Sequence, residues 1–155
     1  VDRSGARLIV NPAVMEMLPA DLRSNATAVA NGETADAAGV PLRAIPAYNT
    51  TEGRLQYHPQ GRDNGYILEI DGRTVYIAGD TEDIPEMRAL TGIDIAFVPF
   101  NLPYTMTEEQ AASAVAEFRP AVVYPYHYRD SDLDKFETAL KAAAGDVEVI
   151  RGPWY

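Results

Sequence analysis

At 155 residues, with a net charge of −10 and 46% hydrophobic side chains, the chain is sized for one domain (residues 1–155) with a packed core. Its negative charge works against binding a nucleic-acid backbone or an anionic membrane surface, and no apolar run approaches the ~20 residues that span a bilayer. With no cysteine there is no disulfide, thiolate nucleophile or Cys-ligated zinc. Such a chain fits any redox compartment; a cytoplasmic setting is the expectation and a periplasmic one is also allowed. The start, Val1-Asp2-Arg3, lacks an initiator Met and reads as the middle of something longer.

In chain order, Arg7 to Val10 predicts a short strand. Asn11-Pro12 then opens a short helix through Leu18, with Asn11 as N-cap and Pro12 at its first position. Asn31-Gly32 between Thr27–Ala30 and Glu33–Ala35 predicts a hairpin, and Val40 to Ala47 a further strand. Thr50 to Asn64 is polar, rich in Gly, Pro and Arg, and predicts a long loop carrying His58. Gly65 to Ile70, Asp71-Gly72 and Arg73 to Ala78 form the clearest hairpin signal. A short helix after Asp83, its expected cap, leads to a buried strand at Asp94 to Val98. Thr107-Glu108-Glu109-Gln110 is a capping box whose helix stops before Pro120. Strand 121–124 follows, then a helix capped by Ser131 and carrying Leu133, Phe136 and Leu140, then a strand at Val147 to Ile150. A hairpin-rich first part and an alternating second part imply an α/β (α+β) layered domain with a mixed sheet covered by helices.

Two apolar runs break abruptly into a polar side chain. Val75-Tyr76-Ile77-Ala78-Gly79 delivers Asp80, and Val122-Val123-Tyr124-Pro125-Tyr126 delivers His127. In α/β folds, ligands and metals gather at such strand ends, and carboxylate and imidazole bind the same class of divalent ion. Each residue also has a plainer reading: Asp80 as a turn residue bonding backbone amides, His127 as a hydrogen-bonded rim residue. His58 is the only other imidazole and lies just ahead of the hairpin that delivers Asp80. Tyr48, Asn49, Asn101 and Tyr104 lie near strand ends, either lining a substrate pocket or serving as surface-loop polar residues. No serine sits in a Gly-x-Ser-x-Gly elbow, and no Gly-rich phosphate loop is present.

Taken together, Ala44-Ile45-Pro46-Ala47-Tyr48-Asn49, His58-Pro59-Gln60-Gly61 with Gly65-Tyr66, Ile77-Ala78-Gly79-Asp80-Thr81 and Tyr124-Pro125-Tyr126-His127-Tyr128 resemble the metallo-β-lactamase superfamily, in its lactonase-like branch of metal-dependent hydrolases. The resemblance implies an αββα sandwich, incomplete at its N-terminus, with a metal site along one edge. It implies that Asp80 bridges two divalent ions, zinc first, with Mn or Fe as alternatives. By the same likeness His127 is the last metal histidine and His58 the middle one. The implied chemistry is metal-bound hydroxide attacking an ester, lactone, amide or phosphoester of a small-molecule substrate.

The sequence departs from that family in two places. Asp63-Asn64 stands where small or apolar residues are expected, and the His-x-His-x-Asp-His cluster is missing. A catalytic zinc needs three protein ligands plus an open position. The chain alone is therefore expected to be inactive and to need a missing N-terminal segment or another copy of itself. The alternative is a non-catalytic binding or assembly domain that keeps the fold. The hydrolase reading requires residues 80 and 127 to meet within ~8 Å, since ions are bound at ~2 Å.

Overall fold

The computed structural model describes residues 4–154; Val1 to Arg3 and Tyr155, part of the expected 1–155 domain, lie outside the described residues. The strands are β1 (Leu8–Val10), β2 (Ala26–Ala28), β3 (Thr34–Asp36), β4 (Pro41–Ala47), β5 (Asp63–Ile70), β6 (Arg73–Ile77), β7 (Ile95–Pro99), β8 (Val122–Tyr126) and β9 (Glu148–Val149). The helices are α1 (Pro12–Met17), α2 (Ala20–Arg23), α3 (Pro85–Arg88), α4 (Glu108–Phe118) and α5 (Leu133–Ala143).

β3 to β9 make one seven-stranded sheet in sequence order. Its first half is antiparallel (β3 to β6) and its second parallel (β6 to β9). Each parallel step crosses over through one helix, and because the strand order never reverses, right-handed crossovers put α3, α4 and α5 on the same face. On that face Tyr76, Ala96, Val98, Val123, Val115, Phe118, Phe136 and Leu140 form a single core with at most 3% exposure each. Burying side chains the size of Phe136 and Leu140 stabilises the domain by ~1.5–3 kcal/mol apiece. The capping box holds as predicted: Thr107 Oγ1 accepts from the Gln110 amide, and the Gln110 side chain accepts from the Thr107 amide.

The opposite face is only partly covered. A second cluster of Val29, Leu42 and Ala44, joined by Ile9, Tyr66 and Leu68, closes the β4–β5 end. Further along, Ile77, Phe97 and Tyr124 stand in one cross-strand row. Phe97 stacks on Tyr124 with centroids 5.1 Å apart, and the partly exposed Trp154 leans over both. The described residues thus supply one large sheet and one helical layer of the expected sandwich.

Several local expectations are corrected. The Asn31-Gly32 turn forms, but it does not join a hairpin: β2 pairs in parallel with β1 in a separate two-stranded sheet. After the turn the chain instead bonds to Ala44 and continues into β3. α2 was not expected, and β5 begins at Asp63 rather than Gly65. Ile84, not Asp83, is the N-cap of α3, because the Asp83 carboxylate is engaged by Arg88. Asp132, not Ser131, caps α5, accepting from the Lys135 amide.

Candidate functional site

β6 and β8 both end at the same rim of the sheet. Beyond β6 the backbone turns through Gly79, whose φ of +69° is costly for a side-chain-bearing residue. A Cβ there would also lie 2.5 Å from the Asn64 carbonyl oxygen, and one at Gly65 would lie 2.5 Å from that of Ala78. The two glycines let β5 and the end of β6 approach closely, which fixes where Asp80 emerges. His127 follows β8 with a φ of +52°; histidine enters this left-handed region more readily than most residues. The turn swings its imidazole off the strand line towards Asp80.

Asp80 Oδ2 lies 3.5 Å from His127 Nε2 and 3.6 Å from His58 Nε2. Residues separated by 47 and 22 positions in sequence therefore meet at one oxygen, and they include both histidines of the chain. Two donors at ~2.0–2.1 Å from one tetrahedral ion stand ~3.3–3.4 Å apart, so each imidazole is at ligand spacing from the carboxylate. The set is short in number: among the described residues, no group of three or more His, Cys, Asp or Glu could hold a metal ion unaided. The donors fit a metal pairwise and leave its shell open.

The far side of each ring is held. His58 Nδ1 is 3.0 Å from Asp63 Oδ2. A carboxylate accepts there, so Nδ1 carries the proton and Nε2 is left facing Asp80. Burial favours protonation of Asp63, but hydrogen bonds from Arg62 and His58 outweigh it and hold the carboxyl below its ordinary range. The polar Asp63 that looked out of place in the sequence thus orients the loop histidine. Five residues of spacing from His58 and an adjacent Arg62 were the available signal. The Asn101 side-chain nitrogen lies 3.4 Å from His127 Nδ1; as placed it donates to Nδ1, and the amide turned to present its oxygen would instead accept from Nδ1–H and leave Nε2 unprotonated. Burial, and then the Asp80 charge, push the Tyr126 phenol upward, so it stays neutral beside the site.

The expected pocket residues divide. Asn101 is buried against His127, and Tyr104 is exposed, meeting Tyr57 edge-on at 5.0 Å. Both border an open cleft of about 510 Å³ with Arg129 and Asp130. Tyr48 and Asn49 do not line it. They are 7% and 2% exposed; the Tyr48 hydroxyl bonds Glu86 and the Asn49 amide donates to the carbonyls of Arg54 and Tyr104. Both are built into the scaffold behind the cleft rather than into its lining.

Residues 2–127 match the pattern of the Beta-lactamase superfamily domain. The chain belongs to that superfamily. It is 31% identical over 126 residues to a UPF0173 metal-dependent hydrolase of Pelotomaculum thermopropionicum, covering 72% of this chain and 54% of the relative. A UPF0173 metal-dependent hydrolase of Thermococcus onnurineus is 30% identical over 158 residues, covering 96% and 68%. A crystal structure from Parabacteroides distasonis, its protein named by inference as a metal-dependent hydrolase, superposes with a TM-score of 0.84 at 46% identity, covering 94% of this chain and 63% of that one. The chain thus spans a little over half to two thirds of the length of these proteins. The metallo-β-lactamase fold expected from the motifs is the fold observed.

Proposed function

We propose that this chain carries part of the metal centre of a metal-dependent hydrolase acting on a small-molecule ester, lactone, amide or phosphoester. The observation that supports it is the Asp80 carboxylate, set at ligand spacing from both of the chain's imidazoles. His58 with Asp80, and His127 with Asp80, would each supply two donors towards a divalent ion, zinc being the first candidate with Mn and Fe as alternatives, and further donors would be needed to complete each shell. A bound ion of this kind acidifies a water and polarises the scissile carbonyl or phosphoryl group. Asp63 keeps the His58 ring in the tautomer whose Nε2 faces the site, and Asn101 orients His127. Asp80, with its second oxygen free, orients the attacking water and accepts its proton. The cleft bordered by Asn101 and Tyr104 receives the substrate.

The donors that complete the shell come, on this reading, from a further N-terminal segment or from another copy of the chain. Either would pack on the only partly covered row of Ile77, Phe97 and Tyr124, where a cleft of about 370 Å³ opens between Ile77, Phe97, Tyr126, His127 and Trp154. The non-catalytic reading has its own support, since the described donors do not close a shell. Metal analysis and a hydrolysis panel of activated ester, lactone and phosphodiester substrates decide between them. The enzyme reading expects tightly bound Zn, Mn or Fe in the native polypeptide and loss of activity in Asp80→Ala. A well-folded, metal-free preparation whose activity survives that substitution rules it out.

A further inference from the structure

Glu82 is the one carboxylate with 0% exposure among the described residues, and nothing in the proposed chemistry uses it. Its Oε2 accepts from the backbone amides of Thr50 and Thr51, both at 2.8 Å, and from both hydroxyls at 2.7 and 3.0 Å. Its Oε1 lies 2.9 Å from Arg54 Nη2. Arg54 in turn donates Nη1 to the Thr105 carbonyl and Nη2 to Thr51 Oγ1. Each contact leads to a segment that carries one piece of the site. Glu82 stands two residues after Asp80. Thr50 to Arg54 open the loop of His58, whose carbonyl accepts from the Asn49 amide. Thr105 bonds the Asn101 amide through its hydroxyl, and Asn101 reaches His127.

We propose that the Glu82–Arg54 ion pair is a positioning latch, joining the segments that bear His58, Asp80 and Asn101 so that the two imidazoles and the carboxylate meet at metal-binding distance. The physical case is one of alternatives. The His58 loop has no strand pairing of its own between Ala47 and Asp63, so a loop of that length would sample many positions unless tied. A charge buried this deeply is costly unless paired, and Oε1, whose contact with Arg54 is an ion pair without hydrogen-bond alignment, has no other partner among the described residues. Removing either partner leaves the other charge without its counter-ion and frees the loop.

The latch rests on the metal reading, so its test separates the two. Because the chain has only two histidines, isotope-labelled imidazole nitrogens give four resonances, two per ring, that report both ligands during a Zn²⁺ titration of the whole chain. Arg54→Met and Glu82→Gln are each expected to weaken Zn²⁺ binding ~10–100-fold, as loss of a group supporting a ligand does. Arg54→Lys, which keeps the charge and loses the fork, should recover part of it. Leu140→Val in the distant helical core serves as the stability control. Zn²⁺ affinity in Arg54→Met and Glu82→Gln equal to that of the unsubstituted chain, with Asp80→Ala impaired, overturns the latch and leaves the metal reading standing. An equal loss in Leu140→Val also overturns it, since the effect is then general destabilisation. No imidazole response in the unsubstituted chain overturns the latch, since the imidazoles and the carboxylate then do not meet at metal-binding distance in it; an undiminished response in Asp80→Ala sinks the metal reading itself. Should Glu82→Gln fail to fold, the partly exposed Arg54 decides the matter.

Discussion

His58 and His127 reach the same carboxylate oxygen by opposite means. His127 rides the end of a parallel strand: Val98 pairs with Pro125 and Pro99 with Tyr126 immediately before it, so main-chain hydrogen bonds set its position. His58 comes from an unpaired loop and is placed by side chains, with Asp63 on its ring and the Glu82–Arg54 pair at the root of its loop. One donor therefore answers to backbone geometry and packing, the other to charge. Perturbations chosen by type should separate them.

The largest effect is expected on the backbone side. Gly79→Ala forces a Cβ into 2.5 Å contact with the Asn64 carbonyl oxygen at a left-handed φ. Neither strand can retreat without losing its ladder. We expect ~2–4 kcal/mol of destabilisation, from strain and overpacking together, read as a lower denaturant midpoint at constant slope. Gly65→Ala should behave alike from the facing strand. A change below ~0.5 kcal/mol in both would show that β5 and β6 part freely, and the account of how Asp80 is placed would be lost.

Next comes the loop side. Asp63→Asn keeps the size of the side chain and removes the charge that fixes the His58 tautomer. Zn²⁺ binding should weaken ~10–100-fold, with the His58 imidazole resonances altered and those of His127 unchanged in the metal-free chain. Equal disturbance of both rings would mean that the two donors are not independently held.

This contrast also explains what could be read from the sequence. Asp80 and His127 were legible because an apolar run ending in a polar residue is a local pattern, and strand ends in α/β sheets converge by topology. The mixed sheet and the capping box at Thr107 were legible for the same reason. Asp63 and Glu82 were not. Their roles exist only through partners such as Thr50, Thr51 and Arg54 that the fold brings together, and no periodicity marks them. Tyr48 and Asn49 resemble surface groups in sequence but are buried: the Tyr48 hydroxyl and the Asn49 side-chain nitrogen are spent on internal hydrogen bonds, while Asn49 Oδ1 has no partner among the described residues. Asn31-Gly32 misled because a turn specifies a reversal but not which strand the chain joins afterwards.

A smaller and more selective effect is expected from acid. Burial works to raise Glu82, yet the hydroxyls and amides of Thr50 and Thr51 outweigh it and hold the carboxyl below its ordinary 4.5; Asp63 is likewise held below 3.8. Depressed carboxylates stabilise the fold above their ordinary values, and that contribution is lost as pH falls through the lower folded values. Below about pH 4.5 the unfolded chain takes up protons first and pulls the equilibrium towards opening. Hydrogen exchange should then show amides 49–62 losing protection before those of β7 and β8. Simultaneous loss would place the acid-sensitive groups elsewhere.

The smallest effect has the opposite sign and sharpens the contrast from the strand side. Tyr76 is fully buried on β6, and its hydroxyl has no hydrogen-bond partner among the described residues. Burial pushes that phenol upward, so it stays neutral, but the desolvated O–H is still a cost. Tyr76→Phe removes the unpaired group and keeps the edge-on ring contact with Phe118 at 5.9 Å. Stability should rise by ~0.5–1.5 kcal/mol, seen as a higher thermal midpoint. Because the added stability lies in the strand core, Zn²⁺ affinity should not change with it. A tighter Zn²⁺ site in Tyr76→Phe would mean that core stability alone governs the loop, and that the ties from Asp63 and Glu82 add nothing of their own.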